Sequence, residues 1–170
     1  RTAVTERWNP EIIWGDSNSS TTDLQRLCQP GFFPAHGVGG DIFASYAPPL
    51  NIIKQFYTNH GVPIEEDKDW DNVDFFELKK GDADHKYYIK EGYTTINLHF
   101  KREPRFYGSI SFDGGIFYGN GRLFNEKDFL HTELIWGGAG MSNIARYSST
   151  GYLVKKLINI QTLVEDGSGS

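Results

Sequence analysis

Nineteen glycines and seven prolines punctuate this 170-residue chain. Glycine and proline are the strongest local breakers, so few long regular elements fit between them. The fold class this implies is α+β and loop-rich, with few short strands and helices. A chain of this length can still close one core, burying roughly 70% of its unfolded surface. The core material is unusually aromatic: 12 Phe, 9 Tyr and 4 Trp make 15% of the residues.

Charge narrows the partners. The net charge is −5, and the segment from Glu65 to Asp84 alone carries −6, so the remainder is close to neutral. No basic stripe exists to neutralise phosphates, which argues against a nucleic-acid partner. Cys28 stands alone, so no intrachain disulfide or cysteine-rich metal site can form. No apolar run reaches the 18 or so residues that span a bilayer. The start at Arg1 and the closing "VEDGSGS" read as a processed or excised piece, with residues 167–170 as a loop or linker and 1–166 undivided.

Short elements can be placed between the breakers. "NPEIIWG" reads as a short strand, and "TTDLQRLC" as a helical turn capped by Thr21 or Thr22. A helix is expected after Pro48-Pro49, with Leu50, Ile53 and Tyr57 on one face and Asn59-His60-Gly61 as its stop. The acidic stretch to about Lys86 reads as loop. "TTINLHF" alternates, placing Ile96, Leu98 and Phe100 inside and Thr95, Asn97 and His99 opposite. "RFYGSISF" alternates too, and Asp113-Gly114-Gly115 should turn it back into "IFYG" as a hairpin. Asn125 with Asp128 signals a helical turn in "NEKDFL", and "ELIWGGAG" and "TGYLVKKLI" are apolar runs, the second extended.

Several chemical constellations can be weighed. Asp67, Asp69 and Asp71 have the alternate spacing of a calcium loop, but Asn72 and Leu78 stand where such a loop needs Gly and Glu. Glu65, Glu66, Asp69 and Glu77 are eligible as a glycosidase acid and base, without any sign of a buried carboxyl. "GVGGDI" lacks the last glycine of a dinucleotide loop, the five histidines are scattered, and Asn18-Ser19-Ser20 is formally a glycosylation acceptor. No catalytic motif, metal centre or cofactor is indicated.

Trp70 is the more pointed signal, because Asp69 and Asp71 flank it in a polar loop. Sugars stack their C–H faces on an aromatic plate while carboxylates bind their hydroxyls. The competing reading makes Trp70 the anchor of its own loop. Tyr118 and Trp136 complete the candidate ligand-binding set with Trp70, Asp69 and Asp71, although Trp14 and Trp136 follow apolar pairs and suit a core better. Trp8 adds little.

Arg102-Glu103-Pro104-Arg105-Phe106-Tyr107, running toward Asp-Gly-Gly, resembles the signature segment of the SusD/RagB family. "APPLNIIKQFYTNHGVPI" before it and "STGYLVKKLI" after it are similar to family segments in the same order. The resemblance implies the middle portion of a Bacteroidetes outer-membrane nutrient-binding lipoprotein with a largely α-helical, tetratricopeptide-containing fold. It implies no catalysis: glycan, or peptide in the RagB branch, is bound on the extracellular face and passed to a SusC-type TonB-dependent transporter. The implied lipid anchor is absent from this chain. A secreted glycoside hydrolase is the alternative from another class. Within the motif, Pro104 should hold Glu103 extended and lead into a strand, while Arg102 and Arg105 clamp neighbouring segments as structural residues.

Overall fold

The computed structural model describes residues 5–6, 9–13, 15, 22–32, 42–119, 129–141 and 147–162. Trp8, Trp14, the Asn18 acceptor, the "GVGG" loop, Asn125–Asp128 and the 167–170 tail lie outside the described residues.

Three short α-helices are described: α1 (Thr22–Cys28), α2 (Leu50–Lys54) and α3 (Pro104–Ser109). The strands are β1 (Leu78–Lys80), β2 (Thr94–Ile96), β3 (Ile110–Phe112), β4 (Ile116–Phe117), β5 (Leu130–His131) and β6 (Tyr152–Val154). Single 3₁₀ turns at Ile64–Glu66, Lys68–Trp70, Ala83–His85, Asn97–His99 and Lys155–Leu157 link them. All three sheets are two-stranded and antiparallel: β1 with β2, β3 with β6, β4 with β5.

Two buried clusters hold these pieces together. The larger gathers Ile53, Ile64, Trp70, Ile89, Leu98, Phe100, Phe106, Phe112 and Tyr152. The smaller gathers Cys28, Phe32, Phe117, Leu130 and Ile158. Aromatic rings supply much of the area, in edge and stacked contacts such as Phe106–Phe112 at 5.2 Å. Cys28 is fully buried, and that burial pushes its thiol up to about 12, so it packs as a small hydrophobe.

Several expectations need correction. The segment from Arg105 to Ser109 is helix, not strand. Pro104 occupies the first helical turn, where its fixed φ suits and its missing N–H is not missed, and Glu103 is extended before it at φ −59°, ψ 152°. This local geometry overrides the apparent alternation; only β3 is extended, and all three of its residues are buried.

The hairpin also fails. Asp113-Gly114-Gly115 does turn the chain, with Gly115 N–H donating to Phe112 O at 2.9 Å. Thr132 brackets that turn, however, accepting from Gly114 and donating to Gly115, so the two arms join different sheets.

Thr95 and His99, expected outside, are inside at 2% and 3% exposure. The chain leaves β2 at Ile96 and coils into a 3₁₀ turn, which ends the period of two. His99 then meets Thr95 Oγ1 at 2.7 Å and Tyr152 Oη at 3.0 Å, so both polar groups are satisfied. The acidic stretch is more structured than a plain loop, since it contains β1 and three 3₁₀ turns. α2 ends at Lys54, which leaves Tyr57 39% exposed instead of on a buried helical face.

Candidate functional site

Among the described residues, the Arg-Glu-Pro-Arg segment is densely hydrogen-bonded. Arg102 is 2% exposed, yet its guanidinium meets four backbone carbonyls. Nη1 donates to Leu98 O (3.0 Å), Nη2 to Ile53 O (2.9 Å) and Phe56 O (2.6 Å), and Nε to Tyr57 O (3.4 Å). The planar fork thus collects carbonyls at the end of α2, where helical partners run out.

Burial lowers its pKa to about 10, which leaves it charged at neutral pH. It lies 4.8 Å from the Phe106 ring and 5.9 Å from Trp70, a cation–π sandwich. Glu103 ties the same segments, accepting from Tyr57 N at 2.8 Å and Arg105 Nε at 2.7 Å. Arg105 itself is 73% exposed along its side chain, so the two arginines carry unequal parts of the clamp.

Trp70 is 7% exposed and packs at 5.8 Å against Phe75 within the larger core. The ring therefore presents no open plate; this corrects the sugar-platform expectation, and the loop anchor is what the structure contains. The three aspartates do not converge as a calcium loop would require. Asp67 and Asp69 gather with His60 instead, their nearest ligand atoms all within 4.8 Å, and Asp71 is outside the group. His60 Nδ1 lies 3.0 Å from Asp67 Oδ2, and Asp67 Oδ1 accepts the Asp69 N–H at 3.0 Å. A hydrogen bond from the Thr58 hydroxyl, with smaller help from Asp69 N–H and His60, lowers the Asp67 pKa.

The open concave site is elsewhere. A cavity of about 380 Å³ is lined by Tyr87, Tyr88, Pro104, Tyr107, Gly108, Ile116, Tyr118, Lys155 and Ile160. α3 supplies Pro104, Tyr107 and Gly108, β4 supplies Ile116, and the turn after β6 supplies Lys155. Tyr88 stacks on Tyr107 with centroids 4.1 Å apart and planes 13° from parallel. The Tyr107 hydroxyl donates to His99 O at 2.9 Å, and burial pushes it up to about 12, so it stays protonated. Tyr118 donates to Tyr87 O at 2.7 Å and meets Phe129 edge-on at 4.8 Å. Lys155 Nζ donates to Ile116 O at 2.9 Å.

Of the residues singled out in the sequence, Tyr118 and, from the signature segment, Pro104 and Tyr107 line this cavity. The "KYYIK" pair, Tyr87-Tyr88, was missed. Its signal was two adjacent tyrosines in polar company, a residue type that suits a half-wet wall. Trp136 is 66% exposed beside Ile135 at 57%, so the "LIWGG" run is surface and not core. A tight loop displays it: Gly138 N–H donates to Ile135 O at 2.9 Å, and Gly137 has φ +77°. Among the described residues, no helix is long and apolar enough to cross a membrane.

Comparisons with known proteins agree with one another. The model of the SusD family matches residues 10–170. Among solved structures, BT4246, a Bacteroides SusD-like protein, superposes with a TM-score of 0.66 at 27% identity, over 98% of this chain and 27% of that one. Its selenomethionine form gives 0.62 at 28% identity, over 99% of this chain and 28% of that one. No curated protein matches. The chain therefore spans little more than a quarter of the length of the solved chains it resembles. With the family model covering nearly every residue, the chain belongs to the SusD family of outer-membrane-associated, nutrient-binding proteins.

Proposed function

We propose that this chain is the ligand-face portion, residues 1–166, of a larger and largely helical protein. That protein is anchored by lipid on the outer face of the outer membrane. It captures oligo- or polysaccharide without cleaving it and passes it to a SusC-type TonB-dependent transporter. The observation that supports this most is the cavity of about 380 Å³ with four tyrosines in its wall. Its volume falls within the range of small-ligand sites. Flat rings match the C–H faces of a sugar, and phenol hydroxyls match its ring substituents. Tyr118 is the leading ligand contact from the original set. Trp136 is an exposed plate outside the cavity, suited to a chain that extends beyond one sugar.

Two other readings make different predictions. The acidic segment 65–84 suits a basic peptide, as in the RagB branch. Glycoside hydrolysis needs a carboxylic acid with a raised pKa. Hydrogen bonds and nearby charges instead hold Asp67, Asp82 and Glu133 below the usual carboxylate range.

Affinity electrophoresis against a panel of neutral and acidic polysaccharides, with reducing-sugar assays on the same mixtures, separates the three. Retardation by at least one glycan without sugar release is expected. Released sugar supports the hydrolase, and retention of basic peptides with no glycan retardation supports the peptide reading.

A further inference from the structure

We propose that His60, Asp67 and Asp69 form a site for a divalent cation of the zinc type, discriminating against calcium. Among the described residues this is the place where three candidate ligand residues come together, with one imidazole nitrogen and two carboxylate oxygens all within 4.8 Å. The other histidine–carboxylate contacts, His85 with Asp82 and His131 with Glu133, have no third ligand of this kind.

The donor set decides the metal class. Calcium takes six to eight oxygen ligands, whereas imidazole nitrogen with two carboxylates suits zinc and its neighbours. Three protein ligands leave a fourth tetrahedral position for water. At metal–ligand distances of about 2.0 Å, ligand atoms lie roughly 3.3 Å apart. His60 and Asp67 are already near that separation at 3.0 Å. Asp69, whose side chain is 54% exposed, has the freedom to swing in.

Asp67 is the fixed member, since its side chain is 6% exposed and the Asp69 N–H holds one oxygen. Such outer hydrogen bonds orient a ligating carboxylate. The cluster already attracts a cation: Lys101 Nζ sits 3.9 Å from Asp69 Oδ2. Coordination needs an unprotonated His60 Nδ1, so binding releases to solvent any proton it carries. The metal would staple the Thr58–Gly61 turn to the 3₁₀ turn Lys68–Trp70, next to the carbonyls that Arg102 collects.

The test is calorimetry of the untagged chain with ZnCl₂ and, separately, CaCl₂ in a non-chelating buffer, with a thermal melt at each endpoint. One Zn²⁺ per chain and a raised melting temperature are expected, with Ca²⁺ at least tenfold weaker. His60→Ala and Asp69→Asn should each weaken Zn²⁺ at least tenfold. His85→Ala should leave it unchanged, and Lys101→Met should bind at least as tightly. Both ligand variants alter half-exposed side chains, and circular dichroism verifies their fold. Unchanged Zn²⁺ affinity in His60→Ala, tighter Ca²⁺ than Zn²⁺, or no Zn²⁺ binding would overturn the assignment.

Discussion

Arg102 concentrates more of the fold's constraint than any other described side chain. Its four carbonyl partners come from Ile53, Phe56, Tyr57 and Leu98, two stretches that the guanidinium bridges. Lysine keeps the charge but not the planar fork. Arg102→Lys should therefore lose about 3 kcal/mol, a melting shift of roughly 6–12 °C. Arg105→Ala, which removes one exposed pair with Glu103, should cost under about 1 kcal/mol. Differential scanning calorimetry of both variants checks the contrast. His99 gives a second residue-scale test. Burial, aided by the Arg102 charge, lowers its pKa from 6.5 to about 3, so the folded protein keeps it neutral. Unfolded chains bind the proton below about pH 6.5, and the stability contributed by neutral His99 is complete above that value. It is lost as pH falls toward 3, at about 1.4 kcal/mol per pH unit. Urea melts at pH 7 and pH 5 should show this slope in wild type and not in His99→Asn.

Elements in this molecule are short, and close backbone contacts hold them together beyond their ends. β1 and β2 are three residues each, and the chain joins them again beyond β1: Gly81 N–H donates to Tyr93 O, and Gly92 N–H to Gly81 O, both at 2.8 Å. A Cβ on Gly81 would lie 2.2 Å from the Lys90 carbonyl oxygen, which is backbone and cannot yield cheaply. Gly81→Ala should cost about 2 kcal/mol or more, read as an earlier urea midpoint with an unchanged slope. The breakers made this economy of elements legible in the sequence, as did the start of α2 after Pro48-Pro49 and the extended β6. Pairing was not legible. β3 and β4 look like hairpin arms because turn chemistry is local, while their true partners stand at 152–154 and 130–131. Thr95 and His99 looked solvent-facing because alternation cannot show that a polar side chain has a buried partner far along the chain. The choice between the two readings of Trp70 was not legible either: its neighbours in sequence are acidic, whereas its neighbours in space are Phe75 and Arg102.

At the scale of the whole molecule, family membership and a tyrosine-walled cavity lead to the same reading. The signature segment packs into the core on one side and lines the cavity on the other. Arg102 and Glu103 bind α2 and the chain after it, while Pro104 and Tyr107 reach the cavity wall. On the proposed reading, this coupling lets a motif rich in charge support a binding cavity without its charges touching ligand. It also makes Tyr118 the cleaner probe, since it lines the cavity but lies outside that clamp. The most direct measurement is isothermal titration of wild type and Tyr118→Ala with whichever polysaccharide retards the chain most, with Trp70→Phe as the core control. The account predicts saturable binding, a loss of at least tenfold in Tyr118→Ala, and near wild-type affinity in Trp70→Phe. Full affinity in Tyr118→Ala, or a loss confined to Trp70→Phe with its fold intact, would contradict it.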